Sequence, residues 1–91
     1  MYYFTYVLQS KIDSSLYIGW TNNLKHRFLQ HNSGKVFSTK LKIPYKIIYF
    51  ECCLNEKDAI VREKSLKTGF GRKYIKNRLN SYFTDIIPHQ I

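Results

Sequence analysis

Residues 2–20 read Tyr2-Tyr3-Phe4-Thr5-Tyr6-Val7-Leu8-Gln9-Ser10-Lys11-Ile12-Asp13-Ser14-Ser15-Leu16-Tyr17-Ile18-Gly19-Trp20, and this stretch decides the fold. Tyr2 to Gln9 is rich in aromatic and β-branched residues, the pattern of a strand. Ser10 to Ser15 is a polar turn, and Leu16 to Trp20 is a second strand-like run, so the three parts read as an antiparallel hairpin. Pairing Tyr6 opposite Tyr17, with Phe4 facing Gly19 and Val7 facing Leu16, sets both phenols on one face. A slip of one residue would separate them. Gly19 weakens a strand unless something needs the space above it. A bulge, a tight packing contact, or the close approach of a substrate or helix would each account for it.

Working outward, Thr21 or Asn22 caps a helix that runs to about Asn32, where Gly34 ends it. Leu24 and Phe28 form its apolar stripe. Lys35 to Ile43 is basic and irregular. Pro44 opens a third strand, Tyr45 to Cys52, whose apolar residues on both faces predict a central or well-covered position. Asn55 caps a second helix, with Glu56 and Asp58 in the first turn and Lys64 and Lys67 in the last, matching the macrodipole. Gly69 and Gly71 break it. Arg72 to Tyr82 reads as a third helix with Tyr74, Ile75 and Leu79 inward. The order strand, strand, helix, strand, helix, helix predicts an α/β fold in which a small, largely antiparallel sheet is flanked by helices. The chain of 91 residues makes one domain, drawn here over residues 1–82, with residues 83–91 as a C-terminal tail.

Composition narrows the function. A hydrophobic fraction of 44% argues against disorder. The net charge of +9 is large for this length and points to a polyanionic partner, nucleic acid first and an anionic membrane surface second. No segment approaches the roughly 18 apolar residues of a membrane span. Cys52 and Cys53 are adjacent and lack metal spacing, so they read as reduced thiols of a cytoplasmic protein. The strand-like N-terminus carries no signal peptide pattern.

Five residues stand out as chemistry: Tyr6, Tyr17, Arg27, His31 and Glu63. Arg27 and His31 are one helical turn apart, bordering the Leu24/Phe28 stripe. The planar guanidinium suits a phosphate that gains charge in a transition state, although an arginine or histidine here also reads as part of a solvated face. Glu63 falls between Ala59 and Leu66, on the side of its helix that should pack inward. A carboxylate there costs free energy unless it is paired or binds a cation. A hard divalent ion such as Mg²⁺ fits, since it takes a single carboxylate, waters and phosphate oxygens. An internal salt bridge to a lysine or arginine is the competing reading. Singly, the tyrosines read as core residues. Together on one face, beside an arginine and a metal, they can position water or receive a proton.

Assembled, these residues resemble the GIY-YIG nuclease superfamily, and in particular its small, stand-alone, single-domain bacterial members. The resemblance covers roughly residues 2–80. The first signature appears as Phe4-Thr5-Tyr6 and the second as Tyr17-Ile18-Gly19. Thr21-Asn22-Asn23-Leu24-Lys25-His26-Arg27-Phe28-Leu29-Gln30-His31-Asn32 carries the arginine at Arg27, and the segment from Glu56 to Lys67 carries the glutamate at Glu63. The resemblance implies a three-stranded antiparallel sheet flanked by helices and metal-dependent hydrolysis of a DNA phosphodiester, with Mg²⁺ or Mn²⁺. It implies that Glu63 binds the ion, that Arg27 stabilises the charged phosphate, that Tyr6 acts as base or water positioner, that Tyr17 aligns the nucleophile, and that His31 supports them. Phe4 and Thr5 depart from the first signature, of which only the tyrosine remains. Many members have an asparagine after the metal glutamate, and Asn77 is the candidate counterpart. Relatives in excision repair and phage homing attach this module to other DNA-binding domains. Targeting here is therefore expected from the basic surface or from a protein partner.

Three functions follow as expectations. The first is a DNA endonuclease, with a role in repair or recombination. The second is a basic nucleic-acid-binding module with little or no cleavage, in which lysines hold phosphates and aromatic faces stack bases. The third is an adaptor for an acidic protein, which would have no use for a carboxylate on an apolar face.

Overall fold

A computed structural model of the protein describes residues 1–85. Its elements are β1 (Tyr3–Ser10), β2 (Leu16–Thr21), α1 (Leu24–Asn32), β3 (Tyr45–Cys53), α2 (Glu56–Leu66), α3 (Gly69–Arg78) and α4 (Asn80–Asp85). The expected antiparallel three-stranded sheet is present, in the order β2-β1-β3. The short helix α4 was not expected, and it crosses the boundary drawn after residue 82. Most of the tail drawn from Phe83 lies outside the described residues.

The hairpin register differs from the expected one by two residues. Tyr6 pairs with Gly19, and Tyr17 pairs with Leu8. Side chains alternate with a period of two, so this shift leaves both tyrosines on the same face. The ladder runs from Phe4↔Thr21 to Gln9↔Leu16. It ends at a turn where Ser14 takes a left-handed φ of 64° and the Ser15 N–H donates to Asp13 Oδ1.

Two cores sit on the two faces of the sheet. Tyr6, Leu8 and Tyr45 pack with Tyr17, Ile47 and the Leu24/Phe28 stripe of α1. Val7 and Ile18 pack with Leu66, Ile75, Ile48, Tyr49, Leu79 and Phe83. β1 lies between them as the central strand and is buried from Thr5 to Ser10. β3 is an edge strand, not a central one, and Phe50 on it is 51% exposed. Its apolar residues on both faces arise because the two helical layers each lean on it, and a register shift opposite Val7/Leu8 sends Ile47 to one core and Ile48 and Tyr49 to the other.

Adjacent residues of β1 tie down the helices on opposite sides. The Thr5 hydroxyl donates to the Ala59 carbonyl of α2 at 3.0 Å, while the Tyr6 hydroxyl meets His31 of α1. The end of α1 is held to β3 by the Asn32 amide, which donates to the Tyr45 carbonyl and accepts the Tyr45 N–H.

Helix boundaries depart from the expected ones in two places. The N-cap of α1 is Asn23, whose side chain accepts from the His26 N–H, while Thr21 accepts from the Asn23 N–H one turn earlier. α3 begins at Gly69 and stops at Arg78, so Gly69 and Gly71 open this helix. A Cβ on Gly71 would lie 2.3 Å from Leu66 Cα, and the bare glycine lets the first turn of α3 touch the backbone of α2. Ile75 is inward as expected, but Tyr74 is 39% exposed. Its hydroxyl meets that of Tyr49, and its ring lies under Arg62, which also forks onto Glu51.

Candidate active site

Tyr6 is 1% exposed, and its ring lies across the backbone of Gly19 on the neighbouring strand. A Cβ at position 19 would fall 2.6 Å from Tyr6 Oη and 2.7 Å from Cζ. The glycine is therefore the space the phenol occupies. Gly19→Ala is expected to destabilise the fold by about 1–3 kcal/mol, the usual cost of overpacking a filled core. It should also push the Tyr6 hydroxyl off His31. Urea unfolding measures the first effect and the Tyr6–His31 contacts in NMR measure the second; an unchanged midpoint would contradict this packing.

His31 is completely buried rather than at the edge of a solvated face. Its Nε2 lies 2.8 Å from Tyr6 Oη and its Nδ1 lies 2.8 Å from Thr39 Oγ1. The Thr39 hydroxyl donates to the Val36 carbonyl. That direction leaves Nδ1–H donating to Thr39, so Nε2 accepts the Tyr6 hydroxyl proton. Burial, reinforced by the charge of Arg27, pushes the His31 imidazole down to about 4. Burial pushes the Tyr6 phenol up to about 12, against the opposing hydrogen bond and charge of Arg27. At neutral pH the pair is thus a neutral phenol donating to a neutral imidazole.

A depressed folded-state pKa has a definite consequence for stability. The unfolded chain binds a proton at His31 near pH 6.5 and the folded chain only near 4, so stability is lost as pH falls through this window. The loss is at most about 3 kcal/mol. Denaturant unfolding at pH 7 and pH 4.5 should show this part of the acid sensitivity in the wild type and not in His31→Gln. Parallel pH profiles for the two proteins would contradict it.

Arg27 and Glu63 come from helices that pack on opposite faces of the sheet. The half-buried Arg27 of α1 lies beside the Tyr6 oxygen, and the charge of Glu63 on α2 also acts on Tyr6. Arg27 Nη1 also donates to Gln30 Oε1 at a long 3.2 Å. The Glu63 side chain is only 17% exposed, and Ala59 and Leu66 on the same side of α2 are fully buried. Its partner is Lys67, one turn along, at 3.3 Å. Lys67 is 52% exposed, and such exposed pairs are worth about 0.5 kcal/mol or less. The pairing leaves the carboxylate available to a better cation. Tyr17 completes the group: its ring centroid is 6.5 Å from that of Tyr6 and 5.0 Å from that of His31. Tyr17 is less buried than Tyr6, and it lines a groove of about 450 Å³ together with Lys67.

The structure thus groups Tyr6, Tyr17, Arg27 and His31 against the middle of the hairpin, with Glu63 joined to them through Lys67 at the groove beside Tyr17. Asn77 is not part of the cluster. It is exposed on α3, two residues past the buried Ile75 and so on the opposite side of the helix. Thr39 was missed, because it lies in the aperiodic stretch 35–43 where nothing ties it to His31. Among the described residues no cluster of three His, Cys, Asp or Glu side chains could hold a metal ion. The donor set fits a hard divalent ion held by one carboxylate, with solvent and phosphate oxygens completing its shell, and it does not fit a protein-caged metal.

Comparison with known proteins agrees with this geometry. The family model described as the GIY-YIG catalytic domain matches residues 2–75. A UPF0213 protein of Clostridium perfringens is 43% identical over 65 residues, covering 70% of this chain and 69% of the relative. A UPF0213 protein of Bacillus pumilus is 40% identical over 72 residues, covering 78% and 72%. The solution NMR structure of a UPF0213 protein from Bacillus halodurans shares the fold, with a TM-score of 0.53 and 24% identity over 85% of this chain and 84% of that one. With its signature tyrosines meeting at Gly19 and a family match over most of its length, the chain belongs to the GIY-YIG family of nuclease domains.

Proposed function

We propose that this protein is a metal-dependent endonuclease that hydrolyses DNA phosphodiester bonds. The observation that carries the reading is the buried Tyr6–His31 hydrogen bond packed over Gly19, with Arg27 of α1 beside the same phenol and the half-buried Glu63 of α2 paired to Lys67, which lines the groove beside Tyr17. Glu63 would hold Mg²⁺ or Mn²⁺ beside the phosphate, where the ion supplies charge neutralisation. Arg27 would exchange its long bond to the neutral Gln30 for a charge-assisted pair with the phosphate, which is the stronger bond. That movement uncovers the Tyr6 hydroxyl. Because the Tyr6 proton points to His31, its oxygen is free to accept from the attacking water and aim it. The raised pKa of Tyr6 favours this positioning role over that of a base in the resting protein. Tyr17, at the mouth of the groove, would align the water from the other side.

No helix among the described residues is long and apolar enough to cross a membrane. Cys52 and Cys53 are free, which suits a reducing, cytoplasmic setting with access to DNA. A part in repair or recombination, with targeting through the basic surface or a protein partner, is the biological form of this proposal.

The test is a panel of labelled branched, nicked, duplex and single-stranded oligonucleotides incubated with Mn²⁺, Mg²⁺ or EDTA. Cleavage of at least one of them, dependent on the metal, supports the reading. Salt-dependent binding that ignores the metal, with no cleavage of any substrate, would favour a binding module instead.

A further inference from the structure

The groove beside Tyr17 is built for more than the phosphate under attack. Its lining is Leu16, Tyr17, Ile18, Lys67, Arg72, Ile75 and Lys76. Three of these residues are cations and none is acidic. Arg72 and Lys76 are one helical turn apart on α3 and project from one side of it. Both are exposed, and among the described residues neither pairs with a carboxylate. Ile18 and Ile75 are buried beneath them, and Leu16 is 40% exposed at the edge. The groove therefore combines cationic walls with an apolar floor, and Lys67 joins it to the catalytic cluster through Glu63.

A sugar–phosphate chain carries the complementary pattern, with anionic phosphates alternating with sugars that offer apolar faces. An acidic peptide would match the cations too, but the groove runs on to Tyr17 and, through Lys67, to Glu63, which places it beside the phosphate that the proposed reaction cuts. We infer that the Lys67–Arg72–Lys76 groove holds the backbone of the substrate strand next to the bond that is cut, so that strand position is set by α3 rather than by the catalytic residues. This rests on the nuclease reading and adds the path of the strand to it. Arg72 and Lys76 act here as phosphate-contacting residues, reading no base identity.

The inference is tested by binding rather than cleavage. Fluorescence anisotropy of a labelled single-stranded oligonucleotide, a labelled duplex and a labelled acidic peptide is measured with the full chain carrying Glu63→Gln, from 50 to 300 mM KCl. Three proteins are compared: that background, the background with Arg72→Gln/Lys76→Gln, and the background with Lys11→Gln/Lys35→Gln. Lys11 and Lys35 are exposed and outside the groove, so the last protein loses the same charge elsewhere. The groove double variant is expected to bind about tenfold more weakly near 150 mM salt, with a salt slope shallower by about 1.5–2. The charge-matched control should change by less than about threefold. Thermal melts confirm folding of each protein, and the single variants Arg72→Gln and Lys76→Gln replace the double if it does not fold. Equal weakening by the groove and control substitutions, or none by the groove pair, would overturn the inference. Loss of affinity for an acidic peptide but not for either oligonucleotide would also overturn it. The two readings fail separately: a groove-dependent binder in which the wild type cuts nothing sinks the nuclease proposal alone, and a metal-dependent nuclease whose binding ignores Arg72 and Lys76 sinks the groove alone.

Discussion

Glu63→Gln is expected to lower the cleavage rate by at least about 10³-fold while leaving the fold intact. The substitution keeps the shape of the side chain and removes its charge. In the proposed site a preorganised charge at the reacting phosphate would be worth about 10²–10³ in rate, and loss of the cation Glu63 would hold adds to that. The cost to stability is small, because the ion pair lost among the described residues is the one to the half-exposed Lys67. Single-turnover cleavage with Mn²⁺ and a thermal melt of the same preparation measure both quantities. A variant that melts with the wild type and cuts with it would remove Glu63 from the site.

Arg27→Ala is expected to cost about 10²–10³ in rate, the range for losing one transition-state donor. Its structural role is slight, since its half-buried guanidinium donates to Gln30 at a long 3.2 Å and sits beside the Tyr6 oxygen. The loss should fall mainly on the rate at saturating substrate, because the pairing strengthens as charge develops on the phosphate. Arg27→Lys should recover only part of it. A lysine keeps the charge, but it cannot present the planar fork that grips two phosphate oxygens. A drop in affinity with an unchanged saturated rate would instead make Arg27 a simple phosphate anchor.

These two residues also mark how far the sequence could be read. The hairpin was legible because β-branched and aromatic runs flank a polar turn, and face assignment survives any even shift of register. Register itself was not legible, since a six-residue turn from Ser10 to Ser15 sets no unique pairing. The place of Glu63 followed from helical periodicity, with Ala59 and Leu66 as its neighbours. β3 was read as central or well covered; it is covered on both faces but lies at the edge, because an edge strand sandwiched by two helical layers carries the same apolar pattern as a central one. Helix α3 was started late because Gly69 and Gly71 read as breakers, whereas Gly71 is the contact point between two helices. The burial of His31 and its bond to Thr39 depend on where an irregular stretch folds back, and no local pattern encodes that.

The central claim is that groups from β1, β2, α1 and α2 act as one unit on one phosphate. A double-mutant cycle tests it most directly: the single-turnover rates, with Mn²⁺, of the wild type, Arg27→Ala, Glu63→Gln and the double variant. Residues that serve one transition state are strongly non-additive. The account predicts that the double variant cuts within about tenfold of the slower single variant. Losses that multiply across the cycle, or a Glu63→Gln protein that cuts at the wild-type rate, would contradict it.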